Sequence, residues 1–347
     1  MAVQTVAARR PRIRAESVPL DPLLAFVYSY WTVRVSQDPR LTVGLIGLGN
    51  MGTAFAERLL DAGYPLVVSN RTLEKAEALA TRGAVVARSL EELAAQVDVI
   101  LTSLANDEAF ESVATAAVAA ARPGTVLVDL STVSPAVSAR VATRADAASV
   151  EYARAPVSGN PTVVRAGNLS FMISGPPDTL DKVEPMLLAI GPTVNRVGDS
   201  EQARVVKLAI NTMIAVMVQA MSEAVLLGEA SGVSREAILG VMGASAVGAP
   251  LVKYKTEPLL HDDYSATFTT ALMEKDINLA LDAAELAGVE LPLAKEMKGH
   301  LRAAIEDGYA DDDFLALFQH LRRTSGLETA DPSRWRTSEH HHKEVVR

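Results

Sequence analysis

The sequence predicts an α/β domain with a doubly wound parallel sheet, followed by an all-α domain. Short apolar runs alternate with helical patterns from Leu41 onward, which is the order expected of βαβ units. These runs carry few polar side chains, as is typical of parallel strands that helices cover on both faces. Beyond about residue 200 the pattern is almost purely helical. We therefore assign the α/β domain to residues 41–199 and the helical domain to residues 200–330.

The individual elements follow from the same patterns. Apolar runs predict strands at 41–46, 65–69, 84–87, 97–102, 125–129, 169–174 and 193–197. Helical spacing predicts first-domain helices at 54–62, 91–96, 108–121 and 179–189. It predicts second-domain helices at 202–230, 235–242, 272–287, 294–307 and 313–322. Ser89 and Glu92 form a predicted capping box.

The long helix predicted at 202–230 is apolar nearly all round in its later part. This pattern is typical of a helix that is buried on several sides. One small bundle cannot easily surround such a helix, so we expect a homodimer or homotetramer.

Composition narrows the classes of function. A chain of 347 residues with 49% hydrophobic content can bury the cores of two domains. No window holds 18 uninterrupted apolar residues, so no membrane span is predicted. The formal charge of −9 disfavours a nucleic-acid partner and favours a small-molecule substrate. The lack of cysteine excludes disulfides and thiolate chemistry and agrees with a reducing compartment, so we expect a cytoplasmic location.

Both ends of the chain differ from the rest. Residues 1–40 hold six arginines against three acidic residues, and four prolines interrupt any long helix. An arginine-rich transit peptide is one interpretation of this segment, but we predict a poorly ordered extension. Residues 331–347 are predicted to be a polar tail, and the three histidines at 340–342 are typical of such a tail. No metal site is predicted.

A glycine-rich run, Gly47-Leu48-Gly49-Asn50-Met51-Gly52, follows the first predicted strand and opens a predicted helix. In the G-x-G-x-x-G pattern the first glycine permits a tight turn and the second lets a pyrophosphate approach the backbone. The third allows close helix packing. The helix start adds N–H groups and a positive dipole. The run therefore predicts a Rossmann domain that binds a dinucleotide.

The end of the second strand bears on which dinucleotide is bound. An acidic residue there would accept hydrogen bonds from the ribose 2′-hydroxyl, but the residues present are Asn70, Arg71 and Thr72. A guanidinium and a small hydroxyl suit a 2′-phosphate, so NADP(H) is favoured and NAD is the alternative.

Further polar groups follow the later strands, where an open α/β sheet binds its ligand. Asp129-Leu130-Ser131-Thr132-Val133-Ser134-Pro135 follows the fifth predicted strand, and Ala155-Pro156-Val157-Ser158-Gly159 follows next. Lys207 and Asn211 are four residues apart on the long helix, so both lie on one face.

Together these segments resemble the β-hydroxyacid dehydrogenase family over about residues 41–319. The family includes 3-hydroxyisobutyrate dehydrogenases, tartronate semialdehyde reductases and glyoxylate/succinate semialdehyde reductases. The resemblance implies a Rossmann domain followed by an all-α domain of the 6-phosphogluconate dehydrogenase-like type. It also implies NAD(P)-dependent hydride transfer to or from a small β-hydroxy acid or semialdehyde.

The resemblance also implies roles for single residues. Lys207 corresponds to the catalytic acid/base and Asn211 to its substrate-orienting partner. Ser158 and Gly159 correspond to the cradle for the substrate carboxylate. The segment 268–276 resembles a late family motif, in which Lys275 approaches the cofactor while Phe268 and Asp276 close the substrate pocket. By the same resemblance, the cofactor-binding residues include Leu104 and Thr132.

Elementary chemistry favours the same role for Lys207. A hydride that reduces a carbonyl leaves an alkoxide, which needs a proton donor. Partial burial would lower the pKa of a lysine toward working pH, where proton transfer is efficient. A solvated helix lysine is the alternative, but Val205, Val206 and Leu208 make exposure less natural.

The chain departs from the family pattern at several positions. Asn160 and Val163 stand where the family often has glycines near the cradle, and Glu201 and Ala203 replace glycines before the lysine. We expect these residues to reshape the pocket wall, and Glu201 to repel a second substrate carboxylate. An imine reductase-like enzyme and a non-catalytic NADP-binding protein are the competing interpretations. The retained Lys207 argues against the first of these.

Overall fold

The computed structural model describes residues 41–336. The predictions for the N-terminal extension and for the histidine triplet concern residues outside the described range. Nine strands form one sheet, with the order β3-β2-β1-β4-β5-β6-β8-β7 and with β9 beside β8. They are β1 Val43–Ile46, β2 Leu66–Ser69, β3 Val85–Val86, β4 Val99–Thr102, β5 Val126–Asp129, β6 Glu151–Arg154, β7 Val157–Ser158, β8 Ser170–Ser174 and β9 Thr193–Gly198.

The first six strands are parallel and follow the order 3-2-1-4-5-6 of a Rossmann sheet. Their side chains alternate between two cores, because successive residues of a strand point to opposite faces. In β4, Leu101 packs into the core on one face, and Ile100 packs into the core on the other. The predicted doubly wound sheet is therefore confirmed.

Seven helices accompany this sheet. They are α1 Asn50–Asp61, α2 Leu73–Ala80, α3 Leu90–Ala94, α4 Asp107–Ala120, α5 Pro135–Ala147, α6 Pro161–Arg165 and α7 Pro177–Ile190. The cap before α3 differs slightly from the prediction. Ser89 Oγ accepts a hydrogen bond from Glu92 N, but the Glu92 carboxylate accepts from Arg88 N, one residue before the cap.

The remaining helices form the second domain. They are α8 Gln202–Ala230, α9 Arg235–Ala244, α10 Pro250–Leu260, α11 Thr270–Ala287, α12 Pro292–Ala304, α13 Leu317–Thr324 and α14 Ser333–Arg336. The sequence patterns did not predict α10, because Pro258 lies inside it. The predicted helix 294–307 ends earlier, in an irregular turn where Gly308 has φ +95°. The segment predicted as one helix at 313–322 begins with a 3₁₀ turn, Phe314–Ala316, before α13.

The long helix α8 runs through the core of the second domain. Its side chains at Ala215, Val218 and Val225 are buried among residues of the other helices. By length and composition α8 is the one helix within residues 41–336 that could cross a membrane, and here it serves as a core helix. In the single chain it is buried on one side, since Met213 and Leu227 are 65% and 70% exposed.

Candidate active site

The glycine loop after β1 has the geometry that a dinucleotide needs. Gly47 has φ +97°, and a Cβ atom there would lie 2.3 Å from the Ser103 carbonyl oxygen. A Cβ at Gly52 would lie 1.9 Å from the Gly47 carbonyl oxygen. At Gly49, by contrast, a Cβ would meet nothing within 4 Å. The outer glycines are therefore required by the close packing of the chain, while the middle glycine borders open space.

That open space lies at the start of α1. The helix begins at Asn50, and Gly49 before it provides no side-chain cap. The first N–H groups of a helix have no partner within the helix, so they are available to a phosphate. Met51 packs against the core behind the loop, and Leu48 N donates to Asn70 Oδ1 at 2.9 Å. The loop fits the pyrophosphate of a nicotinamide dinucleotide.

The three residues after β2 divide into two roles. The side chain of Asn70 joins two loops, because it accepts from Leu48 N and donates to the Thr72 carbonyl oxygen at 2.9 Å. Arg71 and Thr72 are exposed. Thr72 precedes α2 without capping it through its side chain. The exposed guanidinium and hydroxyl are thus the groups here that can meet a ribose substituent, while Asn70 shapes the loop.

Lys207 and Asn211 lie on one face of α8, as predicted, and they are hydrogen-bonded. Lys207 Nζ donates to Asn211 Oδ1 at 2.9 Å, and Asn211 Nδ2 donates to Asp276 Oδ2 at 2.5 Å. Asn211 and Asp276 are both buried. A carboxylate accepts hydrogen bonds but cannot donate them, so Asp276 fixes which end of the Asn211 amide faces the lysine.

Lys275 connects this group to the α/β domain. Its Nζ lies 2.9 Å from Asp276 Oδ1 and donates to the Thr132 carbonyl oxygen at 2.6 Å. Thr132 follows β5, so the contact brings α11 to the carboxyl end of the parallel sheet. Ligands bind at this end of open α/β sheets. Five residues from three separate segments thus form one continuous polar chain, from Lys207 through Asn211, Asp276 and Lys275 to Thr132.

The environment of Lys207 changes its acidity. Burial lowers the pKa of Lys207 to about 8, because the charged amine loses hydration. The negative charge of Asp276 opposes this shift, and the positive charge of Lys275 adds to it. An amine with a pKa near 8 can both release and take up a proton close to neutral pH.

The predicted carboxylate cradle lies at β7. Ser158 is half-buried and pairs with Ser170 of β8, and Gly159 has φ +143°. A Cβ atom at Gly159 would lie 2.8 Å from Leu169 Cδ1 and 3.0 Å from Val163 Cγ1. Val163 therefore fills space beside the cradle. The described part of the chain shows no hydrogen bond between Lys207 and either Ser158 or Gly159.

Asn160, the other departure near the cradle, has a structural use. Its Oδ1 accepts from Val163 N at 3.0 Å and so caps α6. The altered residues thus build the short helix that follows the cradle.

Two further predicted residues lie at the ends of neighbouring segments. Leu104 follows β4, and its backbone N–H donates to Ser131 Oγ at 2.8 Å. Phe268 precedes α11, and its ring packs edge-on against Phe314 with centroids 6.2 Å apart. Phe268 is thereby held near the start of the helix that carries Asp276.

The expected repulsion from Glu201 is corrected by the structure. Arg154 Nε donates to Glu201 Oε1 at 3.0 Å, and a second guanidinium nitrogen contacts the same oxygen. The ion pair compensates the charge of Glu201, so this carboxylate does not confront a substrate as a free anion. Ala203 is fully buried, and its N–H donates to Ser174 Oγ. Sequence analysis did not identify Arg154 as the partner, because the two residues are 47 positions apart.

Three features define a nicotinamide-dependent dehydrogenase: a dinucleotide loop, a chain of polar contacts that ends in a partly buried lysine, and a helical domain after the Rossmann domain. Residues 42–198 match the family described as the NAD binding domain of 6-phosphogluconate dehydrogenase. Residues 202–321 match the family described as NAD-binding of NADP-dependent 3-hydroxyisobutyrate dehydrogenase. The chain belongs to the β-hydroxyacid dehydrogenase family, as its motifs predicted, and its class of activity is NAD(P)-dependent hydroxyacid oxidoreduction.

This chain is similar to other proteins over nearly their full length. An NAD-dependent L-serine dehydrogenase of Pseudomonas aeruginosa is 30% identical, over 82% of this chain and 99% of its own. The solved structure of Mycobacterium tuberculosis 3-hydroxyisobutyrate dehydrogenase with L-serine has 30% identity and a TM-score of 0.75, and it covers 82% of this chain and 99% of its own. The structure of Psf3 in complex with NADP+ and 2-OPP has 25% identity and a TM-score of 0.75, over 81% of this chain and 100% of its own.

Proposed function

We propose that this protein is an NADP(H)-dependent oxidoreductase that acts on a small β-hydroxy acid or semialdehyde, with Lys207 as general acid/base. The observation that carries the proposal is a chain of polar contacts: hydrogen bonds join Lys207 to Asn211 and Asn211 to Asp276, and an ion pair joins Asp276 to Lys275. This chain ends at Thr132, beside the carboxyl end of β5. It sets a proton-transfer group of suitable pKa next to the edge of the sheet where the dinucleotide loop lies.

Each group in the proposed site has a distinct task. A bound nicotinamide supplies or accepts the hydride. In reduction Lys207 Nζ gives a proton to the developing alkoxide, and in oxidation the neutral amine takes the hydroxyl proton. Asn211 holds the amine through its carbonyl oxygen, because Asp276 occupies the amide nitrogen.

Ser158 and Gly159 are the candidate donors for a carboxylate on the substrate. Ser158 offers a half-buried hydroxyl, and Gly159 leaves the backbone accessible because it has no side chain. Phe268 supplies an apolar wall, and Asp276 supplies a polar one. The paired state of Glu201 leaves a second carboxylate on the substrate tolerable, so both monocarboxylic and dicarboxylic semialdehydes belong in the test.

The activity is tested by a panel of carbonyl compounds. NADPH oxidation is followed with glyoxylate, succinate semialdehyde, tartronate semialdehyde, methylmalonate semialdehyde and cyclic imines. We expect turnover with at least one of the oxo acids and none with the imines. Turnover with imines alone would replace the proposal by an imine reductase. Tight NADPH binding without turnover of any compound would indicate a non-catalytic NADP-binding protein.

Cofactor preference is tested at Arg71. We expect Arg71→Asp to lower kcat/KM with NADPH by about tenfold or more, because a charge-assisted contact to phosphate is replaced by repulsion. kcat/KM with NADH should fall less or rise, since a carboxylate there can accept from a ribose hydroxyl. Arg88→Asp, at another exposed arginine, is the matched control. An unchanged NADPH/NADH ratio in Arg71→Asp would reject the preference for NADP(H).

The oligomeric state belongs to the same proposal. The helical domain exposes several large apolar side chains, which a second copy would cover. They are Met213, Leu227, Val241 and Val247, with exposures of 65%, 70%, 70% and 62%. Exposed apolar surface of this kind favours association. Sedimentation equilibrium should give the mass of two or four chains, and the mass of one chain would refute the assembly.

A further inference from the structure

The start of α8 is tied to the sheet by a buried ion pair that the proposed chemistry does not use. Arg204 is 1% exposed and Asp129, the last residue of β5, is fully buried. Arg204 Nη2 donates to Asp129 Oδ2 at 2.5 Å, and Nη1 donates to the Ser131 carbonyl oxygen at 2.6 Å. Arg204 stands one helical turn before Lys207, so whatever holds Arg204 also places Lys207.

The same carboxylate holds the loops at the edge of the sheet. Asp129 Oδ1 accepts from Thr102 Oγ1 and from Ser131 Oγ, each at 2.6 Å. Ser131 Oγ in turn accepts from Leu104 N at 2.8 Å. One buried carboxylate therefore positions the loop after β4, the loop after β5 and the start of α8.

A second ion pair reinforces the first through an aromatic ring. Arg204 Nη2 also donates to Tyr152 Oη at 2.9 Å, and the Arg154 guanidinium lies 4.2 Å from the centroid of the Tyr152 ring. Arg154 pairs with Glu201, which directly precedes α8. The resemblance to the family leads one to expect a glycine at position 201, so the pair explains what this chain does with a carboxylate there.

We propose that Arg204 is a positioning residue, which sets the place of Lys207 relative to the loops of Leu104 and Thr132 by binding Asp129. The inference rests on the proposed role of Lys207 in catalysis. Buried ion pairs contribute little net stability compared with well-packed apolar residues of the same size, so geometry is what this pair supplies. The planar guanidinium is suited to the task, because its fixed donors reach Asp129, the Ser131 carbonyl and Tyr152 together.

The inference is tested with Arg204→Lys and Arg204→Met. Lysine keeps the positive charge but not the forked donors of arginine. We therefore expect a partial loss of kcat in Arg204→Lys and a larger loss in Arg204→Met. A misplacement of about 1 Å costs about 10²-fold in rate, so kcat of Arg204→Met should fall by that order while KM for NADPH changes little. Arg235→Met is the matched control, because it removes a largely buried, doubly paired arginine away from Lys207.

A second measurement separates positioning from general destabilisation and needs no substrate. The pH dependence of Lys207 acetylation by acetic anhydride, read by mass spectrometry, reports the acidity of the amine itself. If α8 is released from the sheet, Lys207 becomes more hydrated and its pKa rises. The midpoint pH of its acetylation should therefore rise above the wild-type value in both Arg204 variants and stay unchanged in Arg235→Met.

If Arg204→Met does not fold, Arg204→Lys alone provides the test. A folded Arg204→Lys with wild-type kcat and midpoint would overturn the inference. Turnover that persists in Lys207→Ala would instead overturn the proposed function. The acetylation midpoint would then still test whether Arg204 positions Lys207.

Discussion

Two regions of the helical domain hold a lysine away from water, and they treat it differently. Lys207 is partly buried, and its hydrogen-bond partner is the neutral amide of Asn211. Lys255 is 2% exposed and is bound directly by the carboxylate of Asp313 at 2.5 Å. Burial lowers the pKa of both amines, and a carboxylate opposes the change in each case: Asp313 for Lys255 and Asp276 for Lys207.

The difference distinguishes the lysine that we propose as acid/base from one that forms a buried ion pair. The carboxylate next to Lys255 also accepts from Thr267 N and Thr267 Oγ1, so that ion pair organises a loop. Near Lys207 the carboxylate of Asp276 is kept one residue away by Asn211. The Asn211 amide therefore positions the amine without bringing a negative charge into direct contact with it.

The largest expected effect is on catalysis at Lys207. We expect Lys207→Ala to lower kcat by about 10²- to 10⁴-fold, which is the usual contribution of a positioned acid/base. NADPH binding, measured by fluorescence titration, should persist because the glycine loop is untouched. The matched control is Lys253→Ala, at an exposed lysine of α10. Near-normal turnover in Lys207→Ala would show that Lys207 is not the acid/base, and the proposed difference between the two lysines would be wrong.

The next effect is on stability at Lys255. We expect Lys255→Met to lower the free energy of unfolding by about 3 kcal/mol, because it leaves a buried carboxylate without its cation. Urea denaturation followed by circular dichroism measures the change, and kcat per folded molecule should stay within about twofold. Adding Asp313→Asn should recover part of the loss. A large loss of kcat with unchanged stability would show that Lys255 is not structural.

The smallest effect is a shift along the pH axis. Reduction needs the protonated amine, so its rate should fall as pH rises through about 8, and oxidation should rise over the same range. Asp276 raises the pKa of Lys207, so Asp276→Asn should move both transitions to lower pH. The exposed Asp282 of the same helix provides the control Asp282→Asn. Transitions that stay in place in Asp276→Asn would argue against coupling between the two groups.

Local patterns predicted much of the fold and of the site. The apolar strands, the glycine loop and the pair of Lys207 and Asn211 depend on neighbours in the chain, so their spacing is informative. The sequence patterns did not predict strands β6 and β7 or helices α2, α5, α6, α10 and α14. Charged residues interrupt the pattern of β6, and Pro258 lies inside α10. The burial of α8 on several sides was predicted from composition, but a single chain covers one side of it.

Contacts that charged side chains make with distant segments could not be predicted from local patterns. Lys275 and Thr132 are 143 positions apart, and Arg204 and Asp129 are 75 positions apart. Nothing in the spacing of either pair marks them as partners. The expected repulsion from Glu201 was wrong for this reason, because its compensating arginine lies on β6, 47 positions earlier in the chain.

By itself the sequence determined the Rossmann sheet, the dinucleotide loop and the choice of Lys207 as the candidate acid/base. Hydrophobic periodicity and the placement of glycines act over a few residues, so they are visible in the sequence. Only the tertiary structure decided which carboxylate meets which cation. That choice depends on how the helical domain docks on the carboxyl edge of the sheet, where burial strengthens each charge interaction and makes its partner decisive.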